Sequence, residues 1–164
     1  MDMKLEPDYF TRNIEFIVYD LIGRTLCAAQ PDDAVLKGVI TQVAGYKQPT
    51  DSMSKGAAYA AGHLSISQKF GSCMIDIATG REGEYACVTI RGIEMDFAGT
   101  KERIDGPGKV TRALNITAAD RERLDGLPIH NPYLWIQGRT LPGQRTALPI
   151  NAKNCVAIYS LPTL

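Results

Sequence analysis

Ile14, Ile17, Val18, Leu21 and Ile22 recur at i, i+3, i+4, i+7 and i+8, and the pattern stops at Gly23. That spacing lines one side of a helix, so the segment has to bury a single apolar stripe against another element. Most of the remaining chain reads as strands. Thr25–Ala29 and Val35–Val43 flank the turn-rich Gln30-Pro31-Asp32-Asp33. Leu64–Ala78 alternates, then runs continuously apolar to a turn at Thr79–Gly83, and Tyr85–Ile93 reads as its hairpin partner. Tyr133–Gln137 and Val156–Leu161 complete the strands. Tyr46–Gly62 is small and polar, a loop with room for one short helix. Pro107 opens a helix running to about Leu114, and Thr117 caps another that ends at Leu124 before Asp125-Gly126. One amphipathic stripe against many strands predicts an α+β fold: a curved antiparallel sheet with peripheral helices.

At 164 residues the chain predicts a single domain spanning 1–164, long enough to bury a core without a covalent staple. Eighteen Lys and Arg balance eighteen Asp and Glu. That balance argues against attachment to nucleic acid by bulk charge, while leaving room for a local basic face. Every apolar run is shorter than a bilayer requires, so no membrane partner is expected. Met1–Asp8 carries acidic residues where a signal peptide has basic ones, and a cytoplasmic location is the expectation. Cys27, Cys73, Cys87 and Cys155 form no CxxC pair and read as reduced thiols, most of them among apolar neighbours; no metal site is expected. His63 and His130 read as ordinary loop histidines. Trp135, between Leu134 and Ile136, reads as core. There is no Walker loop and no GxSxG elbow. Gly106-Pro107-Gly108-Lys109 suits either an anion-binding helix start or a plain structural turn.

Several segments, in order, resemble one family. They are Tyr9-Phe10-Thr11-Arg12 with Leu21–Leu26, Gly38–Tyr46, Met74–Ala78, Ala86–Glu94, and Gly106-Pro107-Gly108-Lys109-Val110 through Ile116. Together they look like the alkyladenine (3-methyladenine) DNA glycosylases of the mammalian type, a family also common in bacteria. The resemblance implies an open barrel of curved antiparallel strands, and a partner: double-stranded DNA carrying a damaged purine. It implies flipping of that purine into a pocket and hydrolysis of its glycosidic bond, without metal or cofactor. A side chain from a β-hairpin would wedge into the minor groove.

Carried over residue by residue, the resemblance puts the helper arginine at Arg91 and the stacking tyrosine at Tyr46. The family's catalytic glutamate falls on Ala44, whose methyl group takes no proton. Its selectivity asparagine falls on Asp76, its pocket histidine on Lys55 and its wedge on Lys69, or on Phe70 if the register slips by one. The arginine- and asparagine-rich loop of the family is largely missing after Lys55. Lys109 is placed to touch a phosphate, or equally to sit in solvent.

The missing glutamate leaves three readings. In one the base has moved to Asp76, with Asp51 the weaker candidate; Asp76 serves otherwise as a salt-bridge partner of Arg91. In another Lys55 attacks the sugar as an amine nucleophile. In the third the fold is kept for binding DNA, a nucleobase or a protein partner, and Tyr46 and Arg91 remain as packing residues.

Overall fold

The computed structural model describes residues 3–47, 59–69, 71–80, 86–150 and 152–162. A 3₁₀ turn at Pro7–Thr11 leads into helix α1, Ile14–Asp20. Asn13 caps α1: its Oδ1 accepts the backbone N–H groups of Glu15 and Phe16 at 2.9 and 3.3 Å. Gly23, at φ +94°, turns the chain out of the helix. Strands β1 (Thr25–Ala29), β2 (Val35–Lys47), β3 (Leu64–Lys69), β4 (Ser72–Ala78), β5 (Ala86–Phe97) and β6 (Thr100–Asp105) come next. Helices α2 (Pro107–Ala113) and α3 (Ala118–Leu124) precede β7 (Leu134–Gln137), β8 (Thr146–Ala147) and β9 (Cys155–Ser160). Thr117 and Asp120 close a capping box on α3.

The nine described strands join one antiparallel sheet, curled into a half-barrel; six run in the order β3-β4-β5-β2-β1-β7, while β6 joins β5, β9 joins β2 and β8 joins β9. Strands β2 and β5 are its long central pair. On its other edge β2 pairs first with β1 and then, from Gln42, with β9. Likewise β5 pairs with β4 near its start and with β6 near its end.

The core lies on the helix side of this sheet. Val43, Val88, Ile90, Ile75, Ile77, Leu64 and Ile66 meet Ile14, Ile17 and Val18 of α1 and Val110 and Leu114 beside α2. A Cβ at Gly45 would lie 2.7 Å from Val18 Cγ2, so only glycine lets α1 come this close to β2. The Ile14–Ile22 stripe is therefore used as its period predicts.

The structure departs from the sequence reading at the hairpins. Leu64–Ala78 is two strands, not one: β3 and β4 form a hairpin with each other through Gly71 at φ +76°, and β4 alone makes the expected antiparallel pairing with β5. Both strands carry apolar residues in step, which makes the run look continuous. Strand β5 continues past Ile93 to Phe97 and returns as β6 through Ala98 and Gly99, both at positive φ as a tight hairpin turn requires. Sequence periodicity misses β6 because Thr100–Asp105 is almost wholly polar. Val35–Val43 extends to Lys47, so Tyr46 stands on a strand rather than in a loop.

Candidate active site

Residues directly opposite one another in an antiparallel ladder point to the same face. Ala44 is opposite Thr89, and Thr89 is opposite Asp76, so the three form one row across β2, β5 and β4. Tyr46, Cys87 and Ala78 form the next row on the same face, turned away from the core residues that alternate with them. A pair of compensating bulges interrupts the β2–β5 ladder here. Gln42 is opposite Gly92 and Val43 is opposite Ile90, which leaves Thr41 on one strand and Arg91 on the other without a ladder partner. Bulges of this kind re-aim a side chain and recur beside active sites.

Asp76 is 4% exposed. Thr89 Oγ1 donates to its Oδ1 at 2.6 Å, and Ser67 Oγ donates to its Oδ2 at 3.3 Å. Burial pushes its pKa up to about 6, against the two hydroxyl bonds that pull it down. Among the described residues no ion pair joins Asp76 to Arg91, so the salt-bridge role read from sequence is not the one it has. Its neighbour Cys87 is held as the neutral thiol, first by burial and then by the nearby carboxylate.

Arg91 Nη1 donates to the Tyr46 hydroxyl at 3.4 Å. Burial raises the Tyr46 pKa, and the Arg91 charge opposes the rise. Arg91 Nε is buried without a hydrogen-bond partner among the described residues. Cys155 on β9 is opposite Tyr46 and also feels the Arg91 charge. A buried guanidinium donor and a half-buried tyrosine ring thus face the same space as the Asp76 row.

Ala44 is fully buried at the position where the resemblance puts a glutamate. Lys69 ends β3 and pairs with Ser72 across the hairpin. Helix α2 packs beside that end: Arg112 Nη1 donates to Ser72 Oγ at 3.3 Å, and Thr111 Oγ1 donates to the Cys73 carbonyl at 2.9 Å. Lys109, exposed in the first turn of α2, shares this end of the molecule. Lys55, Phe70 and Asp51 lie outside the described residues. Thr89 and Ser67, the donors to Asp76, were missed by sequence reasoning. For Thr89 the signal was present, since it stands two residues before Arg91 on a strand.

Among the described residues no cluster of three or more His, Cys, Asp or Glu side chains is placed to hold a metal ion. The cysteines are reduced thiols, with Cys27, Cys73 and Cys87 buried and Cys155 partly exposed. Trp135 is 9% exposed on β7, with the Lys4 ammonium 4.2 Å from its ring centroid. His130 pairs with Glu6 at 2.8 Å, and neither histidine belongs to the site.

The half-barrel thus gathers a carboxylate, an arginine and a tyrosine on the face opposite its helices. The family model of the methylpurine-DNA glycosylases matches residues 8–158, and the chain belongs to that family. It is 28% identical over 144 residues to a chain from Deinococcus radiodurans, covering 75% of this chain and 74% of the relative. It is 28% identical over 134 residues to one from Nitrosococcus oceani, covering 68% and 64%. It is 32% identical over 124 residues to one from Sodalis glossinidius, covering 69% of each. All three are bacterial, and each is named provisionally as a 3-methyladenine DNA glycosylase. No described helix is long and apolar enough to cross a membrane.

Proposed function

We propose that the chain excises alkylated purines from double-stranded DNA by hydrolysis, with Asp76 as the general base. The observation that carries this reading is a buried carboxylate, in the row of Ala44, whose pKa is pushed up to about 6. A base works best when its pKa lies near the operating pH, and Asp76 is ionised yet still basic at neutrality. In the hydrolytic step, Asp76 takes a proton from water as the water oxygen bonds to the sugar C1′. The C1′–N bond breaks and its electron pair leaves with the purine.

Tyr46 offers a ring face for the flipped base, and Arg91 fixes that ring while its free Nε donor is available to the water or the sugar. The hairpin end at Lys69, flanked by Arg112 and Lys109, supplies the wedge and the phosphate contacts. Phe70 and Lys55 keep the roles the resemblance gives them, wedge neighbour and pocket wall. The Gly106–Ile116 block supports assignment to the mammalian-type branch.

A second reading, a non-hydrolytic member that binds DNA, a nucleobase or a protein partner, is favoured by Ala44 at the family's base position. Single-turnover release of free base from duplexes carrying 3-methyladenine, hypoxanthine or 1,N6-ethenoadenine separates the two. Hydrolysis predicts release by the wild type and its loss in Asp76→Asn. No release above the DNA-only control overturns it in favour of binding, and equal release by Asp76→Asn removes Asp76 as the base.

A further inference from the structure

We infer that the cleft between the Pro7–Thr11 turn, the start of α1 and the open end of the sheet is a phosphate-binding site. It encloses about 240 Å³, with a floor of Lys47, Ala86 and Thr79 and a wall of Thr11, Arg12 and Asn13. The floor is set by strand register. Lys47 is opposite Ala86, and the Thr79 N–H donates to the Ala86 carbonyl at 3.0 Å, so the three make a row across β2, β5 and the end of β4. This row is on the face of Gly45, the helix side, and therefore lies behind Tyr46 rather than beside Asp76. Ala86, with only a methyl group, leaves the space between its two larger neighbours.

The chemistry of the cleft is that of an anion site. Among the described residues its lining includes two cations and no carboxylate. The Arg12 guanidinium is held over the Tyr9 and Phe16 rings, 5.0 and 5.7 Å from their centroids, so its position does not depend on an acidic partner. Asn13 spends its Oδ1 on the cap of α1, which leaves its amide N–H groups as donors.

The second, independent observation is Thr79. It is 1% exposed, it faces the cleft, and its Oγ1 has no hydrogen-bond partner among the described residues. A buried hydroxyl left unpaired is destabilising, so an orphan in a cationic cleft calls for an acceptor to complete it. A tetrahedral phosphate oxygen accepts from Thr79 while the others meet Arg12 and Lys47. The phosphate comes either from a DNA backbone or from free phosphate in solution.

The full chain, followed by amide NMR at constant ionic strength, tests the site. Inorganic phosphate is expected to shift the Lys47, Thr79 and Gly80 amides saturably. An Arg12→Gln/Lys47→Gln double variant should weaken the binding about tenfold or more. Thr79→Val, which keeps the side-chain shape, should weaken it while the remaining spectrum stays that of the wild type. A lesion-free duplex that moves the same amides, and is displaced from them by phosphate, identifies the DNA backbone as the source; a duplex that leaves them unmoved identifies free phosphate. Saturating phosphate without shifts at these amides, or unchanged affinity in the double variant, overturns the proposal.

Discussion

Thr89 donates its hydroxyl hydrogen to Asp76 Oδ1 at 2.6 Å, across adjacent strands that carry both residues in one register. The bond anchors a carboxylate that burial alone would drive further towards its neutral form. It opposes the burial that pushes the Asp76 pKa up to about 6.

Under the hydrolytic reading, base release depends on the ionised form of Asp76. The single-turnover rate should therefore rise with pH through about 6 and level off above 7. Asp76→Asn should lower the plateau by about 10²–10⁴-fold and abolish the acid limb. A pH-rate profile between pH 5 and 8 measures both, and an unchanged acid limb in the variant would count against Asp76.

The same shift makes a stability prediction of defined sign. Between pH 3.8 and about 6 the folded state holds a proton on Asp76 that the unfolded chain releases, so rising pH destabilises the fold across that window. Above it the cost amounts to about 3 kcal/mol. Asp76→Asn removes the charge, and urea unfolding should show it more stable than wild type at pH 7.5 but not at pH 4. An equal gain at both pH values would mean that the gain is not electrostatic.

Thr89→Val keeps the shape of the side chain but removes the donor. Asp76 should then titrate above its present value of about 6, moving the acid limb of the rate profile to higher pH. Thr89→Ser should restore the limb, which distinguishes loss of the hydrogen bond from loss of packing.

Arg91 and Tyr46 should separate by function. Arg91→Ala is expected to cost about 10²-fold in the rate of the chemical step, since it removes a donor at a site of developing charge. Tyr46→Phe keeps the ring and should retain most of the rate, whereas Tyr46→Ala should weaken capture of the lesion duplex. Single-turnover rates at several enzyme concentrations divide binding from chemistry for each variant.

An ionised carboxylate buried without a cation among the described residues favours a ligand that brings positive charge. Release of cationic 7-methylguanine should accordingly exceed release of neutral hypoxanthine at pH 7.5. Asp76→Asn should narrow the difference even where both rates fall. Measured rate ratios for the two duplexes decide it.

Much of this architecture was legible along the chain. The 3.6-residue period fixed α1, and the proline, threonine and glycine signals bounded α2 and α3 to within about a residue. Thr25–Ala29 appears as read, because its ends are marked by turn residues. The β3–β4 hairpin and β6 were hidden for different reasons: the apolar positions of β3 and β4 run on as one pattern across the turn, and β6 is almost wholly polar, so it shows no apolar alternation.

Residue identity along the chain supplied the members of the candidate site: an arginine and a tyrosine in the expected segments, an aspartate where an asparagine was expected, and an alanine in place of a glutamate. It determined what each group is able to do, since protonation and charge belong to the side chain. Only the tertiary structure decided which of them meet. Strand register places Asp76 against Thr89 rather than Arg91, and the bulge at Arg91 turns that side chain towards Tyr46. Register and bulges arise from long-range pairing of β2, β4 and β5, contacts that no local pattern in the sequence encodes.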